Sequence, residues 1–317
     1  MESLLKVNNL SVEYYRKKQI IPAVENVSLE LGKGERIGVA GESGCGKSTL
    51  AQTILNLIPK NEGKIKQGEV IFEGKDLLKL RRKDIISIRG REISIIFQDP
   101  FSALNPVFKI GNQMGEIFTD IKDKNIIKER CLNLLGKVHL KNPEEILKSY
   151  PHQLSGGMRQ RVVIAIAIAL SPKILIADEP TTALDVTIQK EILDLIDELS
   201  NSLKMSLLLV THNLGVVCER TERIIIMYAG RIVEELRTRE LFKQARHPYT
   251  KALIQAVPRL TMKDRPDMIK GLPPDPKDYP KGCKFHPRCP FVLSRCVKEE
   301  PELKGNDSEK VRCFLYE

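Results

Sequence analysis

Hydrophobic and polar positions alternate through "LLKVNNLSVEYY" and again through "AVENVSLELGKGERIGVAG". A period of two marks strands with one buried face. The pattern predicts antiparallel strands leading into a buried strand, "RIGVAG", and then a turn. After the turn, "KSTLAQTILNLI" carries its apolar residues at helical spacing. From about Asp99 to Leu170 the texture is helical, with polar connectors such as "KDKNIIKER" and "KNPEE". "KILIADEP" and "SLLLVTHN" then read as two short buried strands around the helix "TIQKEILDLIDELSNSL". Strands flanking helices predict an α/β core with a parallel sheet, here interrupted by an all-helical insert. Past about His247 the chain turns proline-rich ("GLPPDPKDYPKG") and then cysteine-rich. That shift predicts a large domain over residues 1–245, its helical subdomain at about 99–170, and a small C-terminal extension over 246–317.

A length of 317 residues agrees with one large and one small domain. Hydrophobic content of 42% and charged content of 29% are those of a soluble globular protein. The first residues show no basic region followed by a long apolar stretch, so no secretory signal is expected. The longest clean apolar run, "VVIAIAIAL", is about half of what a membrane span needs. A cytosolic chain is expected, one that docks on something that spans. The net charge of +10 fits a nucleic-acid binder, a neighbour of an anionic membrane face or a polyphosphate handler. With 51 basic and 41 acidic residues interspersed, charge does not choose among them.

"GESGCGKST" is the strongest single signal. Gly41, Gly44 and Gly46 let backbone wrap a β-phosphate where Cβ atoms would obstruct it. Lys47 brings positive charge to the β/γ oxygens, and Ser48 offers a hydroxyl to Mg²⁺. A predicted strand precedes the loop and a predicted helix follows it, as such a cradle requires. In "KILIADEP", the four apolar residues Ile174 to Ala177 deliver Asp178 and Glu179 at the carboxyl end of a strand, where α/β proteins bind ligands. Asp178 is suited to hold Mg²⁺, directly or through water, and Glu179 to polarise the attacking water. "LSGGM" then opens a second helix with bare amides and a serine hydroxyl, a second anion site in a chain that already has one.

The ordered set "GESGCGKST", "FQDP", "LSGGM", "ILIADEP", "TALD" and "LLLVTHN" resembles the nucleotide-binding subunit of an ABC transporter, from about Leu5 to Leu241. The resemblance implies an ABC-type P-loop ATPase fold with an antiparallel β subdomain and a helical insert. It assigns ATP contacts to Gly41, Ser43, Gly44, Cys45, Gly46, Lys47, Ser48 and Thr49, with Tyr14 stacking on adenine and Tyr15 the nearby alternative. Gln98 joins Ser48 and Asp178 at Mg²⁺, Glu179 is the catalytic base, and His212 is the switch residue at the γ-phosphate. Ser155, Gly156 and Gly157 form the signature, and Asp185 lies in the dimer-contacting loop. In this family the signature of one subunit closes over ATP held by the other. A second ATPase subunit, the same or different, is therefore the expected ATP-dependent partner.

A finer resemblance lies in "FQDPFSALNP", "YPHQLSGGMRQR", "THNLGVV" and "HPYTKALIQAVP", which are similar to the oligopeptide/dipeptide importer branch, including Met158 in place of glutamine. Asn213 departs from the acid that many relatives carry after the histidine. The branch implies two membrane-spanning permease subunits, docked by the helical insert with its Phe101 and Phe108. It further implies an extracytoplasmic substrate-binding protein and a place on the inner face of the membrane. Nickel and sugar are the alternative cargoes. A non-transport ABC ATPase acting on nucleic acid is disfavoured by the compact insert between phosphate loop and signature. A nucleic-acid grip by the tail is disfavoured because it lacks a finger pattern.

Cys283, Cys289, Cys296 and Cys313 crowd the end of the chain with gaps of five, six and sixteen residues. Disulfides are unexpected in the cytosol, and a tail too small for its own core more readily folds around a metal centre. Zinc sites usually present paired C-x₂₋₄-C knuckles. The wider gaps suit a [4Fe–4S] cubane, where each thiolate takes its own iron, with Zn²⁺ as the alternative. Lys284, Arg288, Arg295 and Arg312 are the expected counter-charges, Phe285, Pro287, Pro290 and Phe291 the expected shield, and His286 a substitute ligand. Similar cysteine-bearing tails, and an iron–sulfur cluster, are known in the resembled family.

Overall fold

The computed structural model describes residues 3–16, 19–182, 184–257, 269–306 and 309–317, and of Phe101 only the backbone. Its strands are β1 (Ser3–Arg16), β2 (Gln19–Gly32), β3 (Arg36–Ala40), β4 (Gly63–Phe72), β5 (Lys75–Asp76), β6 (Ile93–Ile96), β7 (Ile174–Asp178), β8 (Ser206–Thr211), β9 (Arg223–Tyr228), β10 (Arg231–Arg237), β11 (Lys304–Gly305) and β12 (Lys310–Val311). Two compact units emerge: Met1–Ile85 with Leu208–Glu317, and Ile86–Leu207.

In the first unit, β2-β1-β4-β5 form an antiparallel sheet. The pairing of β1 with β2 is interrupted by bulges, and Asn9 and Asn26 take left-handed φ of 47° and 49°. Asparagine tolerates that region better than most residues, and Ser28 and Ser11 hydroxyls accept the two freed N–H groups at 2.9 Å. The other strands of the unit run β11-β12-β10-β9-β3-β8, with β9 parallel to β3. "RIGVA" and "IIIMY" are nearly continuous apolar runs because both faces of these strands are covered. Helix Leu214–Arg220 packs so closely on β3 that a Cβ on Gly38 would sit 2.1 Å from Val217. β9 and β10 join through Ala229 and Gly230, both at positive φ, the two-residue turn that suits strand twist.

In the second unit, β6 and β7 pair in parallel, Ile93 opposite Ile174 through Ile96 opposite Ala177. Helices Ile110–Gly115, Lys124–Lys137, Pro143–Lys148 and Gly156–Ile168 fill the region expected to be helical. Helix Gly156–Ile168 is apolar nearly all round and buried accordingly. Helix Val186–Ser202 buries a single stripe, Ile192, Leu195, Ile196 and Leu199.

The expected cysteine-rich tail domain is not a body of its own. Its β12 pairs with β10, Val311 opposite Glu234, and Arg312 N–H donates to the Val233 carbonyl at 2.8 Å. Phe285 is buried with Tyr228, Val233, Leu236 and Tyr249. A segment too small for a core has joined its neighbour's.

Candidate functional site

The phosphate-loop half lies in the first unit. β3 ends at Ala40, and helix Lys47–Ile54 begins after Gly46 at φ 105°. A Cβ there would meet the Ala23 carbonyl at 2.3 Å, so glycine is required by space as well as by conformation. Lys47 is buried, and its Nζ donates to the carbonyls of Gly41 at 2.8 Å and Glu42 at 3.1 Å. The lysine charge is thereby folded against the loop it serves. Ser43 and Gly44 are exposed at the tip, while Ser48 and Thr49 lie half-buried in the first helical turn. Cys45 is buried beside Lys47, and burial raises its thiol pKa.

Tyr14 is half-buried on β1 against Gly63, whereas Tyr15 is exposed. His212 is exposed just past β8. Asn213 caps helix Leu214–Arg220, its Oδ1 accepting from Gly215 N–H at 3.0 Å and Val216 N–H at 3.4 Å. A capping role explains an amide at this position, since asparagine is among the best N-caps.

The acidic half lies in the second unit. β7 is buried throughout and ends on Asp178, 2% exposed. Glu179 follows with φ 47°, a left-handed conformation that costs a non-glycine residue energy and that persists only when its surroundings enforce it. Here they do. One carboxylate oxygen, Oε2, accepts from Gln98 Nε2 at 3.1 Å and from Thr182 Oγ1 at 2.8 Å. Sequence reasoning did not single out Thr182. Its signal was its place three residues beyond the acid, where a bent chain returns its hydroxyl.

Ser155 caps helix Gly156–Ile168 through Met158 N–H, and Asp185 caps helix Val186–Ser202 through Ile188 N–H at 3.0 Å. The two caps belong together. A Cβ on Gly157 would lie 2.9 Å from Ile188, and one on Gly156 would lie 3.2 Å from Leu184. Bare glycines let the signature turn press against the Asp185 segment.

The tail thiols lie within electrostatic reach of one another, and burial with their mutual repulsion raises the pKa of Cys283 to about 11. Burial likewise raises those of Cys289 and Cys313. Cys289 Sγ accepts Phe291 N–H and Cys296 Sγ accepts Leu293 N–H, each at 3.4 Å. Among the described residues, no three Cys, His, Asp or Glu groups converge as they would on a single ion. The expected [4Fe–4S] cluster and its Zn²⁺ alternative are both without support in this arrangement.

The expected counter-charges are committed elsewhere. Lys284 pairs with Glu25, Arg288 with Glu42, and Arg295 with Glu299 and Glu317. Arg312 is within electrostatic reach of Cys283 but donates to the carbonyls of Ile232 and Pro301. Phe291 is 57% exposed and shields nothing, whereas Phe285 is buried. His286 Nδ1 bonds the Cys283 carbonyl at 2.9 Å. The Phe101 side chain lies outside the described residues, and Phe108 is exposed.

Comparison with known proteins agrees with this geometry. The ABC transporter family model matches residues 24–182, and a model for the oligopeptide/dipeptide transporter C-terminal region matches residues 233–296. The oligopeptide transport ATP-binding protein AppD of Bacillus subtilis is 46% identical over 100% of this chain and 98% of its own length. The dipeptide transport ATP-binding protein DppD of Haemophilus influenzae is 45% identical over 98% of this chain and 95% of its own. Among solved structures, a dimeric post-hydrolysis state of the ATP-binding cassette MJ0796 bound to ADP and Pi superposes with a TM-score of 0.65, at 30% identity, covering 74% of this chain and 98% of that one. The cbiO1 protein of Clostridium perfringens, part of the transporter complex cbiONQ, gives 0.65 at 26% identity, covering 77% and 92%. The two half-sites are those of an ATP-binding cassette. The chain belongs to the ABC transporter family as an ATP-binding subunit.

Proposed function

We propose that this chain hydrolyses ATP to power the import of di- or oligopeptides through a membrane ABC transporter. The observation that carries this reading is the union, in one chain, of the cassette at 24–182 and the peptide-transporter C-terminal region at 233–296. Near-full-length likeness to peptide transport ATP-binding proteins supports it. Ser48, Gln98 and Asp178 are assigned to Mg²⁺, as the resemblance implies; the ion would supply charge neutralisation at the β/γ-phosphates when bound. Lys47 neutralises the same phosphates, Tyr14 stacks on adenine and His212 contacts the γ-phosphate.

Glu179 positions and activates the attacking water. Its strained backbone and two side-chain donors at one oxygen support that role, because together they fix the rotation of the carboxylate. Ser155, Gly156, Gly157 and Asp185 belong to the opposing face, so that a second ATPase subunit completes each ATP site; the dimeric relatives support this reading.

Two permease subunits dock on the second unit. There a groove of 670 Å³ is lined by Ile86, Phe97, Ala103, Ile117 and Val163, with Ile86 and Phe97 exposed. Among the described residues no helix is long and apolar enough to cross a membrane, so attachment through such partners to the cytoplasmic face fits. The four tail cysteines are assigned to a [4Fe–4S] cluster. The gaps of five, six and sixteen residues, and the electrostatic reach of Cys283 on the other three sulfurs, are what support that reading.

Reconstitution tests the whole reading. ATP hydrolysis by this chain with its permease and binding protein in vesicles is expected to rise when peptide is added. A response to nickel or sugar and none to peptide would reassign the cargo.

A further inference from the structure

Glu42 is the second residue of the phosphate loop, and the C-terminal region holds it twice. Its N–H donates to the Tyr249 hydroxyl at 2.8 Å. Its carboxylate receives both terminal nitrogens of Arg288, at 2.7 and 3.0 Å. Its carbonyl, in turn, accepts Lys47 Nζ. Fork against carboxylate fixes direction as well as distance.

The Arg288 side chain is 5% exposed, so solvent screens this pair far less than a surface ion pair. Arg288 is itself anchored, Nε on the Lys270 carbonyl at 3.1 Å and a terminal nitrogen on the Tyr228 hydroxyl at 3.3 Å. Behind it the rings of Tyr228, Tyr249 and Phe285 stand 4.6 to 5.4 Å apart, a rigid backing for both grips. Residues separated from the loop by more than two hundred positions thus determine where its second residue stands.

We infer that Arg288 is a positioning residue for ATP: through Glu42 it holds the phosphate loop in the shape that receives phosphates, which makes the cysteine-bearing tail a working part of the nucleotide site. Arg288 acts through Glu42 and touches no reacting atom. The loop binds anions with backbone amides, whose value depends on all of them pointing inward at once. A loop freed at Glu42 must recover that order when ATP binds, and affinity falls by the cost. The inference rests on the loop being the ATP cradle, which wild-type binding reports separately.

The test is calorimetric titration of MgATP into the full-length chain, beside urea unfolding without nucleotide, for wild type, Arg288→Gln, Glu42→Gln and the double variant. Each single change is expected to weaken ATP binding roughly tenfold, as coupled neighbours do, with the double no weaker than either. Arg288→Lys should recover part of the loss, since an ammonium still meets one carboxylate oxygen. Wild-type affinity in the single variants, losses that add in the double, or lower urea midpoints with affinity intact would each overturn the inference. If Arg288→Gln does not fold, Glu42→Gln decides, because it leaves every tail residue in place; unchanged affinity there overturns it. A wild-type chain that fails to bind MgATP would instead refute the cradle reading.

Discussion

Gln98 donates to the same Glu179 oxygen that Thr182 does, 3.1 Å from one side chain and 2.8 Å from the other. Two donors on one oxygen hold the carboxylate in a fixed rotation, and a base must be aimed before it can act. Gln98→Ala removes one donor and leaves the phosphate loop untouched. Hydrogen bonds to charged groups contribute about 1.5–3 kcal/mol, so at saturating Mg²⁺ and ATP, where the loss of the metal contact assigned to Gln98 is compensated, kcat should fall by roughly 10- to 100-fold while ATP still binds. Steady-state phosphate release beside equilibrium ATP binding checks both halves.

Ser155 caps its helix by accepting Met158 N–H, and with the amides of Gly156 and Gly157 it is proposed as a second anion site. Ser155→Arg and Lys47→Ala should each be nearly inactive alone. Mixed, they form dimers in which one site joins an intact loop to an intact signature, and activity should partly return. No recovery under conditions where dimers form would count against action in trans.

His247 is fully buried and caps helix Pro248–Gln255, its Nδ1 accepting Tyr249 N–H at 3.1 Å. Burial, first, and the nearby Arg312 charge lower its pKa to about 3. A histidine depressed in the folded state must stay neutral to fold. Its share of stability is complete above about pH 6.5 and is lost as pH falls from there toward 3, by up to about 1.4 kcal/mol per pH unit. Urea midpoints across that window should fall less steeply for His247→Asn, which keeps a capping acceptor without the titration.

Protein purified without oxygen should be brown and contain iron and acid-labile sulfide in near-equal amounts. The proposal rests on four cysteines at gaps of five, six and sixteen residues, with Cys283 within electrostatic reach of the other three. One zinc per chain and no sulfide would contradict the cluster.

The phosphate loop, the acidic strand end and the signature were legible because each is local. A strand, a turn and a helix start within ten or so residues carry their own periodicity and caps, so Lys47, Asp178 and Ser155 could be read from spacing alone. The tail was not legible in that way. Its cysteines and prolines read as a separate domain, yet Phe285 fills a core made by Tyr228 and Tyr249, and β12 borrows an edge from β10. Arg288 reads as a counter-charge for nearby thiolates, but its partner Glu42 lies 246 positions away. No local pattern encodes a pairing at that separation. The positive φ of Glu179 is equally silent in sequence, where glutamate gives no hint of a left-handed turn.

The most direct measurement is phosphate release from MgATP by Glu179→Gln against wild type, with ATP binding and dimer formation followed on the same samples. The substitution keeps size and hydrogen bonding while removing the base. Loss of a general base costs roughly 10²- to 10⁴-fold in rate, so the variant should bind ATP normally, accumulate as an ATP-bound dimer and turn over slower by that factor. Turnover near that of wild type would contradict the assignment of Glu179, and with it the proposed chemistry of the site.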